Sequence, residues 1–347
     1  MIGTELLKGQ GLGNQLFCYV TARCIAKEHN CEFGVLGQEH LPMGPNGEPG
    51  LYFMDLYFGN HVERSSFAHT YHEKEERIYT GTSQHDMMLH GCYVAGVDPD
   101  MKHVADGTLL YGNMQDESYF SQYRDEIQQW LCVKPEYDDM EYSRENLCII
   151  NMRGGEYTGH PELCLRKKYW KDGMKHMKAI RPDMEFMIVT DDVAHANKLF
   201  PEIPAYHFDL SKDYATIKNA HYLLLSNSSF AFFPAYTSKT LQYAIAPKYW
   251  ARHNVSNGYW ASEQNIYSLF HYMDRHGKLF SAEECRQELS AYRRKTDNMC
   301  KFKRKATGLK LILQKIHCHY IILSAYALRI WPALKRRFGT VVKRGKA

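Results

Sequence analysis

The chain has 347 residues, 44% of them hydrophobic and 24% charged, a globular composition with room for two α/β domains and without the bias of a disordered tract. A formal net charge of +4 gives a whole-molecule nucleic-acid reading little support, although the positive charge gathers near the C-terminus. Ten cysteines without a CxxC pair, no signal-peptide pattern over Met1–Leu7 and no run of ~18–20 apolar residues point to a cytoplasmic protein with reduced thiols and no spanning helix.

A short apolar run to Leu7 meets Gly9-Gln10-Gly11-Leu12-Gly13, and Asn14 to His29 carries helical spacing with Leu16, Phe17, Val20, Cys24 and Ile25 on one face. That is strand, glycine turn, helix. Residues 37 to 50 are rich in Gly and Pro, and residues 60 to 107 are polar and His-rich without a period, which reads as loops and short elements. Leu109-Leu110-Tyr111 predicts a strand and Tyr119 to Leu131 a helix, and the polar, acidic stretch Pro135 to Arg144 suits a linker between domains, with the boundary near 140.

Beyond it come a strand at 147–151, helices at 168–180, 192–200 and 213–220, and strands at 186–190 and 222–226. A turn at Asn227–Phe230 then leads into a helix through Tyr236. Strands alternating with helices predict a mainly parallel sheet. Arg153, Asp191 and Ser228 fall at the carboxyl ends of three of its strands, which is where open α/β sheets bind ligands.

Four short segments carry candidate chemistry. Gly9-x-Gly11-x-Gly13-Asn14-Gln15 differs from the dinucleotide fingerprint, because its third glycine comes one residue early and no acidic residue follows at the expected distance. Either its backbone approaches a ligand that the Asn14 and Gln15 amides bind, or it is a tight turn capped by Asn. Asn151-Met152-Arg153-Gly154-Gly155-Glu156-Tyr157 sets a guanidinium beside two glycines, suited to a phosphate. The alternative there is an Arg153–Glu156 pair at a surface turn.

Thr190-Asp191-Asp192 closes a strand and opens a helix, so one aspartate suits an N-cap and the other the crevice. Adjacent acids also raise a divalent metal, but neighbours at a strand end point to opposite faces and no further ligand sits at metal spacing. No metal and no cofactor is expected. Asn227-Ser228-Ser229-Phe230 places two hydroxyls and exposed amides at a strand-to-helix turn, an anion cradle or an ordinary serine cap.

Taken in order, these segments resemble the α-1,2-fucosyltransferase family over about residues 8 to 250. Gly11-Leu12-Gly13-Asn14-Gln15-Leu16-Phe17 is similar to the family's N-terminal G-G-L-G-N-Q-L-F, and the segment Tyr111 to Phe120 to its G-Y-x-Q-S-x-K-Y-F. Asn151 to Tyr157 resembles H-x-R-R-G-D-Y, Thr190-Asp191-Asp192 resembles S-D-D, and Asp213 through Phe230 resembles the block that ends in N-S-S-F. Departures are Asn151 for His, Gly154 for the second Arg, Glu156 for Asp, and Gln10 for Gly.

The resemblance implies an α/β fold of GT-B type, two facing Rossmann-like domains with a cleft between them. It assigns 1–140 to the acceptor side and 141–265 to the nucleotide-sugar donor, with 266–347 a helical, basic extension. It implies inverting, metal-independent transfer of fucose from GDP-fucose to a glycan or lipid-linked oligosaccharide acceptor in bacterial surface polysaccharide synthesis. Arg153 would stand in for a metal at the leaving diphosphate; by their chemistry Glu156 and Asp191 are candidates either for the general base or for contacts to ribose or guanine, and no base is assigned. Donor contacts fall on Arg153, Gly154, Gly155, Asp191, Asp192, Asp213, Asn227, Ser228, Ser229 and Phe230, and the acceptor side of the cleft on Gly11, Gly13, Asn14 and Gln15. The departures leave open another GDP-sugar, or a non-catalytic nucleotide- or glycan-binding protein.

From Lys301 the chain turns basic, and an apolar-aromatic stretch from His319 to Leu334 runs into Lys335-Arg336-Arg337. Residues 301–338 read either as an amphipathic helix on an anionic membrane surface or as a helix packed on the body. No nucleic-acid partner is expected, since no stacking aromatic motif accompanies the charge.

Overall fold

The structure, a computed structural model, describes residues 1–47, 51–74, 96–159, 163–250, 253–254 and 263–300, together with 308, 309, 312, 313 and 316. Two sheets with helices form a mixed α/β frame. In the first, strands β1 (Ile2–Glu5), β2 (Phe33–Leu36), β3 (His69–His72) and β4 (Thr108–Tyr111) are all parallel in the order β2-β1-β4-β3.

The second sheet holds β5 (Leu147–Met152), β6 (Glu185–Thr190), β7 (Ala205–Tyr206), β8 (Tyr222–Leu225), β9 (Tyr243–Pro247), β10 (His271–Met273) and β11 (Leu279–Phe280). Their order is β11-β10-β9-β8-β5-β6-β7, parallel except for the β10–β11 pair. Read from β5 outward, the chain first runs through β6 to β7 and then returns to the other side of β5 with β8, β9 and β10. That reversal between β5 and β8 is the topological switch point of a doubly wound sheet.

The sequence dictates this placement. β5 (LCIINM) and β8 (YLLL) are buried at every position, as strands covered on both faces must be. Cys148, Ile150 and Met152 face a cluster with Trp170 and Met177 of α3 (Lys167–Ile180), while Leu147 and Ile149 face the opposite side. On that opposite side one hydrophobic cluster takes residues from both sheets.

Helix α1 (Leu12–Glu28) is the element that joins them. The spacing predicts a single buried stripe, but buried residues run from Leu12 to Ala26 almost without interruption. The reason is packing on two sides: α1 rests on β1 and β2, and also against the turn at Ser229–Ala231 and the short helix α6 (Phe232–Tyr236). Phe17, fully buried, lies 4.8 Å from Phe232 and 4.8 Å from Phe233, with Phe120 at 6.0 Å.

Two predicted elements differ. The helix expected from Tyr119 is two 3-10 turns, Glu117–Tyr119 and Ser121–Tyr123, before α2 (Arg124–Trp130) begins, because Phe120 sits at φ −140° and interrupts helical geometry. The helix expected from Asp213 starts a turn earlier as α5 (Leu210–Lys218), since the Asp209 carboxylate accepts from Lys212 N and caps it. Between β6 and β7, α4 spans Val193–Leu199. At the C-terminal side, α7 (Ala282–Cys300) lies in the stretch expected to be helical and covers β10.

The acidic linker is bound to α5. Lys212 bridges Asp139 at 3.0 Å and Glu141 at 2.6 Å, and Lys218 meets Asp138 at 2.8 Å. Cys18, Cys24, Cys31, Cys132, Cys148, Cys164 and Cys285 are free thiols. Among the described residues no helix is long and apolar enough to cross a membrane. The basic segment 301–338 lies outside the described residues except for five positions, of which Leu309, Ile312, Leu313 and Ile316 are exposed.

Truncating Phe17 to Ala removes the ring on which α6 and α1 meet. Loss of a buried aromatic side chain costs about 3–5 kcal/mol, so the urea midpoint of Phe17→Ala falls accordingly. If the two sheets share one core, far-ultraviolet and aromatic signals shift together; separate transitions would contradict it.

Candidate active site

The switch point sets the site. Strands β5 and β8 are paired with Asn151 opposite Leu225, and Ser226 N donates to the Asn151 carbonyl at 3.0 Å. The segments that leave both strands, Met152–Gly155 and Ser226–Phe230, therefore emerge side by side at one edge of the sheet. Asn151, Ser226 and Asn227 are buried there, yet the Asn151 Oδ1, Ser226 Oγ and Asn227 Oδ1 atoms have no hydrogen-bond partner among the described residues. Buried polar atoms are nearly always paired, and here three unpaired oxygens sit close together at adjacent strand ends.

Arg153 follows β5 directly. Its Nη1 lies 2.8 Å from Asp191 Oδ2, its Nη2 3.2 Å from Glu156 Oε1, and its guanidinium 5.5 Å from the centre of the Tyr157 ring. The side chain is 36% exposed, so the guanidinium is braced from one side and open on another. Asp191, at the end of β6, also accepts the Gly154 amide at 2.7 Å through Oδ1. One carboxylate thus fixes both the arginine and the backbone beside it.

Gly155 takes φ +42°, where a Cβ would come within 2.6 Å of Asp191 Oδ2. A larger residue at 155 would push on the brace itself. Asp192 has the other role foreseen for the pair: its Oδ1 accepts His195 N at 2.9 Å and caps α4. Both acids of the pair are therefore engaged by protein donors. Among the described residues no group of three or more His, Cys, Asp and Glu could hold a metal ion.

Across the switch point, the Ser228 hydroxyl accepts from Phe230 N at 3.3 Å and caps the 3-10 turn. Ser229 is half-buried and its hydroxyl has no partner among the described residues. Phe230 meets Tyr214 edge-on at 6.2 Å. Asn227 sits deeper, its Nδ2 donating to the Leu163 carbonyl at 3.1 Å, and ties the loop after Arg153 to β8.

The glycine turn closes the site from the side of the first sheet. A Cβ on Gly13 would lie 2.4 Å from Ser229 C and 2.6 Å from Phe230 N, so only glycine lets α1 approach that turn. Gly11 is the N-cap residue of α1, without a side-chain cap. Asn14 is half-buried and its Oδ1 accepts from Gln115 Nε2 at 2.8 Å. Gln15 is buried at 1% and donates to the His40 carbonyl at 2.8 Å, while its Oε1 has no partner among the described residues.

Gln115, which holds Asn14, is itself held at two points. Gln115 Oε1 accepts from Asn265 Nδ2 at 2.8 Å, and Gln115 N donates to Gln264 Oε1 at 3.4 Å. Gln264 in turn donates to Glu73 Oε1 at 2.8 Å. Glu73 is buried, and it also accepts from Met114 N at 2.8 Å and the Tyr119 hydroxyl at 2.9 Å. Burial pushes its carboxyl above the ordinary value. Gln115 lies inside the Tyr111–Phe120 segment, so its position was visible; Glu73, Gln264 and Asn265 carry no local pattern.

Asp213, in the first turn of α5, accepts from Phe208 N and faces His207 Nδ1, each at 3.1 Å. It secures the loop between β7 and α5 at the far edge of the crevice. Burial pushes its carboxyl up to about 6, against the lowering effect of Phe208 N and His207, with Asp209 raising it further.

No protein-family model and no curated protein matches this chain. Among solved structures, the crystal structure of POFUT1 in complex with GDP-fucose is similar at a TM-score of 0.37 and 10% sequence identity, covering 70% of this chain and 96% of that one. A likeness of that size bears neither on activity nor on the roles of individual residues.

A carboxyl raised on folding holds its proton more tightly in the folded chain than in the unfolded one. Its contribution to stability is full below about pH 3.8 and is lost as pH rises through about 6. The stability difference between wild type and Asp213→Asn, measured from urea midpoints, should therefore move against wild type as pH rises from about 4 to 6. A difference that stays flat over that window would remove the buried-acid account.

Proposed function

We propose that the chain is an inverting glycosyltransferase that moves L-fucose from GDP-fucose to a glycan hydroxyl, on a GT-B-type arrangement, in synthesis of a bacterial surface polysaccharide. The reading is supported above all by Arg153: an open guanidinium at the switch point, held by Asp191 and flanked by the Gly154–Gly155 backbone and the Ser228–Ser229 turn. Such a set of donors suits a diphosphate. The ordered resemblance of the five segments supplies the sugar and the linkage class.

In this mechanism the acceptor oxygen attacks the anomeric carbon from the face opposite the nucleotide. The bond from that carbon to the β-phosphate oxygen breaks, and its electron pair leaves with GDP. Arg153 offsets the charge that grows on that oxygen, an electrostatic effect whose loss costs roughly 10²–10³ in rate for a single donor. Ser229, with its hydroxyl unpaired, adds a second donor. Glu156, 72% exposed beside Arg153, is the carboxylate offered for the hydroxyl proton, while Asp191 holds the guanidinium at 2.8 Å. Asn14, locked by Gln115, lines the acceptor side.

Asn151 in place of His, together with its orphaned Oδ1, favours a second reading in which the same scaffold takes another GDP-sugar. GDP release from a panel of GDP-sugars, with EDTA present, separates the two. Release from GDP-fucose, reduced about 10²–10³-fold in kcat/KM by Arg153→Ala, is expected. Release from a different GDP-sugar moves the donor assignment, and binding of GDP without release from any of them replaces the enzyme with a binding protein.

The same proposal seats the protein on an anionic membrane surface. Residues 301–347 hold thirteen Lys and Arg and no Asp or Glu, leaving 30 basic against 39 acidic residues in positions 1–300. Exposed Leu309, Ile312, Leu313 and Ile316 follow the spacing of one helix face. Cosedimentation with vesicles containing phosphatidylserine should be lost on truncation at residue 300 and weakened by salt. Unchanged cosedimentation would end this part of the proposal.

A further inference from the structure

A cavity of about 470 Å³ lies beside the Asn14 wall, between the chain that leaves β4, the segment Ile266–Ser268 and helix α7. Its size falls within the ~300–1,000 Å³ of small-molecule sites. Three separate segments each bring an exposed serine to it: Ser118, Ser268 and Ser290. Ile266 and Leu289, both 4% exposed, form an apolar part of the wall.

The charges there are arranged for a neutral ligand. Arg286 Nη2 lies 3.1 Å from Glu117 Oε2, 3.1 Å from the Ile266 carbonyl and 3.0 Å from Ser268 Oγ, so it ties two walls together. Glu117 Oε2 also accepts from Ser268 N at 2.8 Å. Asp116 accepts from Ser118 N through Oδ1, and burial pushes its carboxyl above the ordinary value. Two carboxylates against one engaged guanidinium repel phosphate and sulfate. Carboxylate and hydroxyl oxygens above an apolar wall match the hydroxyls and C–H face of a sugar ring.

The position is equally specific. Asp116 follows Gln115 and Ile266 follows Asn265, the two residues whose amides meet at 2.8 Å, and Gln115 in turn grips Asn14 at 2.8 Å. The cavity therefore begins one residue from the wall assigned to the acceptor. We propose that it is a saccharide subsite holding a neutral sugar residue of the acceptor, behind the unit that carries the attacked hydroxyl. This rests on the glycosyltransferase reading for its role in transfer, but its binding of sugar can be measured alone.

The test uses the full chain with Ser290→Trp, which fills the cavity from an exposed position on α7, and Gln287→Trp as a control on the same helix outside the cavity lining. Saturation-transfer NMR is recorded with lactose, cellobiose and a hexuronic acid, and with inorganic sulfate as a competitor. Binding of a neutral disaccharide to wild type and to Gln287→Trp, lost in Ser290→Trp and indifferent to sulfate, is expected. In transfer assays Ser290→Trp then raises KM for the acceptor about 10-fold, equivalent to about 1.4 kcal/mol, with a smaller change in kcat and no parallel rise in KM for the donor.

No saccharide signal with wild type, a signal equal in all three proteins, or binding displaced by sulfate would overturn the subsite. If sugar binding follows the expected pattern while no GDP is released from any GDP-sugar, the subsite stands and the transferase reading falls. GDP release with no effect of Ser290→Trp on either measurement does the reverse.

Discussion

The arrangement depends on the contact between α1 and the turn that follows β8. Gly13 meets the backbone of Ser229 and Phe230 at a distance no side chain permits, and one turn further on Phe17 inserts among Phe232, Phe233 and Phe120. Backbone contact and aromatic cluster are successive parts of one interface. Through it the amino end of α1, with Asn14, is carried to the edge where Arg153 and Ser228–Ser229 emerge. The glycine turn and the serine turn are thus two sides of a single seam, although more than two hundred residues separate them in the chain.

Around that seam the polar side chains are braced by one another. Arg153 is held by Asp191, which also takes the Gly154 amide, and Asn14 is held by Gln115, which is held by Asn265. Such bracing fixes orientation in advance, so less rotamer entropy is lost on binding. Glu73 extends the same order inward, binding three donors from two parts of the chain, Met114 and Tyr119 in one and Gln264 in the other. Removing it would leave those donors buried and unpaired, a larger penalty than the net value of the bonds it makes.

Much of the second sheet was legible in the sequence because its strands are continuous apolar runs ended by distinctive turns. The β5, β6 and β8 segments, the helices between them and the position of Arg153 all follow from that pattern. The first sheet was harder to read. β3 is made of His69-Thr70-Tyr71-His72, a largely exposed polar edge strand with no alternation to detect, and in the second sheet β10 and β11 are only three and two residues long. The expected Tyr119 helix is interrupted at Phe120, where the rings of Phe232, Phe233 and Tyr236 of α6 claim the side chain and the local backbone follows. The Glu73–Gln264–Gln115–Asn265 network was invisible for a different reason, since its members lie far apart in sequence and are joined only by the fold.

The shared core has a bearing on how far the two sheets can move apart. Swinging the two sheets apart would expose Phe17, Phe232, Phe233 and Tyr267, whose rings pack within 4.1 to 6.0 Å of one another across the seam. Each aromatic side chain buries about 150–250 Å², worth roughly 4–6 kcal/mol at about 25 cal/mol/Å². A motion that ruptured such a cluster would face a correspondingly high barrier. The two sheets therefore stay joined along the seam, like a jaw whose joint is shut.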